Sequence, residues 1–243
     1  MSRRIVITVL FILAGFGVFA QADTVITPKK APSVTLPRSN DHFMFQMGYT
    51  TWQGAPDSVN TSGLPRSINV YFLFDYPFKT NPRLSTGIGV GIATDNIYFK
   101  DTYIDLKENA RTLRFQNVSD TNHFKKYKLA TAYAEAPIEL RYRSNPENDS
   151  KSFKAAIGAK VGLLLNAHTK GKTLQDKNDN TAISYTLKEN SKQFFNTNRI
   201  SVMGRVGYGH FTLFTSYQLT PLFKEGLAPT IRPLTIGLNI SGL

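Results

Sequence analysis

The chain reads as all-β: an eight-stranded antiparallel transmembrane β-barrel with both termini periplasmic, preceded by a cleaved signal peptide. Four features point there. Apolar and polar residues alternate with period two through eight stretches, the periodicity of strands rather than helices. Each stretch has about the length a tilted strand needs to cross a bilayer, roughly 9–11 residues plus overhang. Charges stand in mid-strand, where a soluble sandwich would show them to water and a membrane barrel would turn them into its lumen. The fourth is that the links alternate long and short, as in barrels with short periplasmic turns and long outer loops. A soluble β-sandwich gives no reason for that alternation.

Composition narrows the functions. The chain has 243 residues and no cysteine, which excludes disulfides, thiolate metal sites and thiol catalysis. Twenty-nine basic residues against 17 acidic give a formal charge of +12. Such an excess suits nucleic acid, anionic lipid or an acidic partner. No nucleic-acid motif accompanies it, so anionic lipid headgroups fit better. Mean hydropathy is slightly negative, against a helical membrane protein but normal for a barrel whose alternate residues face a polar interior. No cofactor motif is present: HExxH, P-loop, GxSxG and metal-ligand clusters are all missing from the sequence.

Residues 1–22 have the form of a secretory leader, with Arg3 and Arg4, an apolar run from Ile5 to Ala20, and small residues at Ala20 and Ala22. Cleavage there would start the mature chain at Asp23. Residues 23–40 hold three prolines without alternation and read as a flexible periplasmic tether. The barrel is expected over 41–243. Its first strand sets Phe43, Phe45, Met47 and Tyr49 against Met44, Gln46 and Gly48. The second, about 67–78, sets Ile68, Val70, Phe72, Phe74 and Tyr76 against Asn69, Tyr71 and Asp75. A tight link at 79–83 has turn chemistry. The third, 84–99, puts Ile88, Val90 and Ile92 opposite Gly87, Gly89, Gly91 and Ala93, small residues that relieve crowding inside a narrow barrel.

Residues 100–126 form a long link whose TYIDLK and RTLRFQ pieces could pair as a hairpin above the membrane. Strands four and five, within 127–143 and 153–169, carry the strongest alternation: Glu135, Glu139, Arg141, Lys154 and Lys160 face away from Ile138, Leu140, Ile157 and Val161. Asn166 and His168 are assigned to the lumen face of strand five. The segment 169–198 reads as a second long polar link. Strand six, 199–207, returns through the minimal turn at 208–210 to strand seven, 211–219, and strand eight covers about 234–240. Links at 51–66, 100–126, 169–198 and 220–233 are thus long, and those at 79–83, 144–152 and 208–210 short. Aromatics near strand ends, among them Tyr49, Trp52, Tyr76, Phe99, Tyr142, Tyr208, Phe211 and Phe223, are expected in the interfacial girdles.

A barrel of eight strands is filled by its own side chains, so charge inside must be paired. The expected lumen network sets Asp75, Glu135 and Glu139 against Arg141, Lys154, Lys160 and Arg205. The same groups could instead line a proton or ion path. His168 is the only candidate base near the outer rim, close to Asn166 and Ser201, with no acid at a diagnostic spacing. The basic residues Lys100, Arg111, Arg114, Lys125 and Lys126 of the outer loop suit lipopolysaccharide phosphates, or are simply solvated charge.

Strands four to eight resemble the PorT-like outer-membrane β-barrel family of the Bacteroidota. The residues that carry the likeness are YAEAPIELRY from Tyr133 to Tyr142, GAKVGLLLNAHT from Gly158 to Thr169, GRVGY from Gly204 to Tyr208, YQLTPLF from Tyr217 to Phe223, and PLTIGL from Pro233. The resemblance implies a small outer-membrane barrel, in some members serving type IX secretion or gliding, and brings no catalytic residue. The chain departs from better-known barrels in ending Ser-Gly-Leu without a terminal aromatic, so insertion would use a different closing signal. The expected function is therefore structural or accessory, not enzymatic and without a cofactor. Its partners would be outer-membrane lipids, lipopolysaccharide, and a secretion or surface protein. A small-solute pore and a lipid A-modifying rim enzyme are the alternatives.

Overall fold

The computed structural model describes residues 43–56, 59–63, 66–108 and 110–241. The expected signal peptide and tether lie outside the described residues, as do His42 and the last two residues. The first six strands are β1 (Phe43–Gln53), β2 (Arg66–Pro77), β3 (Leu84–Phe99), β4 (Thr102–Ile104), β5 (Phe115–Asn117) and β6 (His123–Arg143). Then come β7 (Phe153–Gln175), β8 (Thr181–Asn190), β9 (Asn198–Tyr208), β10 (Phe211–Gln218) and β11 (Arg232–Ser241). Eight of them, β1, β2, β3, β6, β7, β9, β10 and β11, pair antiparallel in a ring that closes where β1 meets β11. These staves match the eight expected strands. Closure leaves no unpaired edge in the wall, the condition for a sheet to cross lipid.

The wall is polar inside and oily outside. Ile157, Val161 and Leu238 are 69%, 55% and 56% exposed, whereas Glu139, Lys160 and Arg205 are 1%, 2% and 8% exposed. A water-soluble protein would reverse that assignment. Along β2 the alternation is complete: Ile68, Val70, Phe72 and Phe74 point out, and Ser67, Asn69, Tyr71 and Leu73 point in. The links at one end are short. Gly209 takes φ +60° in the turn between β9 and β10, a left-handed conformation that glycine adopts without steric cost. At the other end the links are long, and β4 pairs with β5 as the expected hairpin.

Three expectations need correction. The segment 169–198 is not only a link: β7 runs on to Gln175 and pairs with β8, while β6 starts at His123. These projections leave the lipid, so nothing forces one of their faces to be apolar and the alternation fades. Second, β7 carries a bulge, since Tyr133 pairs with Leu164 but Ala132 with Asn166. Leu164 keeps the inward facing of Lys154 and Lys160, but the extra residue, Leu165, reverses the rest of the strand, so Ala167 turns in and Asn166 and His168 turn out. Third, Trp52, Phe99 and Phe223 do not join a girdle. Phe99 and Phe223 are buried, and the Trp52 ring packs edge-on to both at 5.5 and 6.1 Å. Tyr49, Tyr76, Tyr142, Tyr208 and Phe211 do face outward.

Candidate functional site

The lumen is where the sequence places unusual chemistry, and the sheet register builds it. Glu139 on β6 lies opposite Gly87 of β3 and Gly158 of β7, so small neighbours leave room for large charged ones. Its Oε2 accepts hydrogen bonds from Arg141 Nε at 2.9 Å and from Arg205 at 2.8 Å (Nη2) and 3.2 Å (Nε). A Cβ added at Gly87 would run into the Arg141 guanidinium, so this glycine provides the space that guanidinium fills. Asp75 of β2 approaches Arg141 Nη1 at 3.5 Å and Arg143 Nη2 at 3.6 Å.

A second cluster lies further toward the long-loop end. Glu135 Oε2 accepts from the Tyr71 hydroxyl at 2.6 Å and stands 3.4 Å from Lys160 Nζ. Its other oxygen is 3.4 Å from Arg199 Nε. Arg199 Nη1 also donates to Asp95 Oδ2 at 2.8 Å, and its guanidinium lies 4.8 Å from the Tyr133 ring centre. Lys160 Nζ donates to the Tyr71 hydroxyl at 3.3 Å. Burial of any one charge alone would be costly, and here each carboxylate meets at least one cation.

The expected set Asp75, Glu135, Glu139, Arg141, Lys160 and Arg205 is thus distributed over two clusters, and Lys154 is buried on the same face. Asp95, Arg143, Arg199 and Tyr71 are members that the sequence-based network omits. Parity alone could have found them. Asp95 continues the face of Gly87, Gly89, Gly91 and Ala93, and Arg199 shares the face of Arg205.

Above the charged clusters the lumen turns apolar. Ile97, Phe99, Leu129, Tyr133 and Leu164 from the staves pack with Ile104, Leu106, Leu113, Phe194, Phe195, Leu222, Phe223 and Ile231 from the long links. The links are tied together by backbone bonds: Leu113 N to Leu227 O at 2.7 Å and Lys224 N to Phe194 O at 2.8 Å. Asn196 Nδ2 donates to both Pro221 O (2.8 Å) and Phe223 O (2.7 Å). Tyr127 donates its hydroxyl proton to Ile104 O at 2.6 Å, fixing the β4–β5 hairpin over the mouth. Beside it, burial and the neighbouring Glu189 carboxylate push the Tyr103 phenol up to about 12. Burial and nearby Asp105 raise the Glu189 carboxyl in turn.

The histidines are dispersed. His168 points out of the wall and Ser201 into the lumen, so the two do not form the rim pair that their places on neighbouring strands suggest. His123 Nε2 lies 3.0 Å from Asp179 Oδ1 and its Nδ1 3.1 Å from Thr121 O. His210 sits at the short-turn end, 3.0 Å from Ser150 Oγ. Among the described residues no group of three His, Asp or Glu could hold a metal. The loop cations Lys100, Arg111 and Arg114 are exposed in the long links, while Lys125 and Lys126 line one groove with Arg66 and Tyr98.

Comparison with known proteins bears on the fold. No curated protein matches the chain. Among solved structures, Ail, the attachment invasion locus protein of Yersinia pestis, aligns over 83% of this chain and 97% of its own, at 12% identity and a TM-score of 0.32. The same protein in complex with the heparin analogue sucrose octasulfate aligns over the same shares at 13% identity and a TM-score of 0.32. The family described as outer membrane protein beta-barrel domain matches residues 38–225, well over half of the chain. With the closed, oil-faced ring of eight staves, that match makes this chain a member of the outer membrane protein beta-barrel domain family, located in the cell outer membrane.

Proposed function

We propose that the protein is a closed, non-conducting barrel with a structural or accessory role at the cell surface. It is read with long links outward, both termini periplasmic, and a leader removed before Asp23. One observation carries this: the lumen is filled along its height, by the Glu139–Arg141–Arg205 cluster below and an apolar plug above. Such a wall offers no continuous aqueous path. The test is planar-bilayer conductance of purified protein. A plugged barrel gives no steps above the bare-membrane baseline; stable single-channel openings would favour the small-solute pore and sink this reading.

The outward-facing His168 supports a non-enzymatic role over a lipid A-modifying one, since a rim base needs a nucleophile or water held beside it. Mass spectra of lipid A from cells with and without the gene should be identical. The long-link end of the barrel is read as meeting lipopolysaccharide and a surface or secretion protein. The PorT-like resemblance supports the type IX secretion or gliding machinery as the place to look, and a cross-linked pull-down from native membranes would name the partner.

A further inference from the structure

The outward face of the wall carries its own pattern, separate from lumen and plug. Past the Leu165 bulge, β7 turns His168, Lys170 and Lys172 outward. Register aligns the two lysines with like charges: Lys170 pairs with Lys128 on β6 and with Lys188 on β8, and Lys172 pairs with Lys126. Arg66 of β2 lies opposite Asn96 of β3, which in turn lies opposite Ala130 of β6, one outward position from Lys128. Like charges directly across a sheet repel. A protein that tolerates them without its own counter-charge leaves that charge to a ligand.

No counter-charge comes from this side of the wall. Among the described residues, none of these five lysines nor Arg66 forms an ion pair with a carboxylate. Lys128 Nζ donates to Asn96 Oδ1 at 2.6 Å and lies 5.7 Å from the Tyr98 ring centre, so it is held by neutral partners. The nearby acids face away. Asp95 is buried in the lumen with Arg199, and Glu189 turns to Tyr103 on the plug side of β8. Around Tyr98 the cations line two adjoining grooves, of about 190 Å³ and about 390 Å³.

Height identifies the occupant. Leu163 and Leu165, 57% and 47% exposed, are the last outward apolar residues of β7. A tilted strand climbs about 2.5 Å per residue along the membrane normal, which puts Lys170 about 13 Å above Leu165, beyond the acyl chains and among headgroups. On the neighbouring staves, Ile200 of β9 and Leu219 just past β10 are the exposed apolar residues nearest the long-link end.

We infer that this outward cationic face, centred on Lys128, Lys170, Lys172 and Lys188, binds the phosphate groups of the lipopolysaccharide beside the barrel. The inference rests on the outward orientation of the long links and locates the lipid contact on the wall rather than on Lys100, Arg111 and Arg114 of the loop. The experiment measures binding of bisphosphoryl lipid A to the full chain in detergent by native mass spectrometry. Dephosphorylated lipid A and inositol hexakisphosphate serve as the comparison probes. The quadruple variant K128Q/K170Q/K172Q/K188Q should bind bisphosphoryl lipid A at least tenfold more weakly, since each lysine near an anionic surface contributes about fivefold. The matching four Lys→Arg changes and K100Q/R111Q/R114Q should bind as the parent does. Heat-dependent gel mobility verifies that each variant is folded. If the quadruple variant does not fold, K170Q/K172Q alone should still lose about tenfold or more. Equal binding by the lysine-depleted variant, or equal binding of dephosphorylated lipid A, would overturn the inference. Hexakisphosphate binding as tightly as lipid A would overturn the lipid as its source. Accessibility of an epitope inserted at 176–180 on intact cells tests orientation alone; its failure would not alter the lipid A measurements.

Discussion

Replacing Glu139 by glutamine removes the negative centre of the lower lumen while keeping its shape. Three charge-assisted hydrogen bonds end on Glu139 Oε2, at 2.8, 2.9 and 3.2 Å, and the residue is 1% exposed. Each such bond contributes about 1.5–3 kcal/mol. The gross sum overstates the loss, because a carboxamide oxygen still accepts one of the bonds and Arg141 retains Asp75 at 3.5 Å. Arg205 is the group left exposed to the full penalty: among the described residues Glu139 is the only carboxylate within its reach. Stranding a buried cation costs about 3–5 kcal/mol, and E139Q is expected to lose that much. Urea unfolding in lipid vesicles, followed by tryptophan fluorescence and heat-dependent gel mobility, measures it. R205M in the E139Q background should recover part of the loss, giving a coupling of about 2 kcal/mol. A loss under about 1 kcal/mol for E139Q, with no recovery in the double variant, would refute the reasoning that buried charge inside this wall depends on its partner.

The same geometry gives two further outcomes. G87A puts a methyl group where the Arg141 guanidinium lies, and overpacking of that kind costs about 1–3 kcal/mol, read as a lower urea midpoint. Glu189 titrates in the projecting arm. Its carboxyl is raised by burial and by Asp105, so the folded arm holds the proton more tightly than the unfolded chain. Docking of β8 therefore strengthens as pH falls through the raised folded value, and the gain is complete below the ordinary 4.5. Hydrogen exchange of residues 181–190, corrected for intrinsic rates, should slow on acidification in the parent and be insensitive to pH through that range in E189Q.

How much was legible depends on where the membrane imposes a rule. Every second residue that meets lipid must be apolar, so Ile157, Val161 and Leu238 announce their face, and the register of the eight staves is set by it. The opposite face then places Glu139, Lys160 and Arg205 inside without further information. Legibility stops where lipid stops. Both faces of β8 are exposed, and TAISYTLKEN carries no alternation that separates strand from polar link. The bulge at Leu165 hides in three successive leucines, where shifting the facing by one changes nothing in the pattern; its consequence is His168 turned out rather than in. Aromatic residues at strand ends are ambiguous for a similar reason. Tyr49 and Trp52 both sit near the long-loop end of β1, and only tertiary contact separates the outward tyrosine from the tryptophan packed on Phe99 and Phe223.

Lipid surrounds the wall, and charge fills the barrel. The chain has no cysteine, so single cysteines can report each face without background. Cysteines at Ile157, Val161 and Leu238, labelled with an environment-sensitive fluorophore in vesicles, should be quenched strongly by brominated acyl chains and hardly by aqueous iodide. The opposite pattern at those three positions, iodide quenching with no effect of brominated lipid, would turn the barrel inside out and contradict the account.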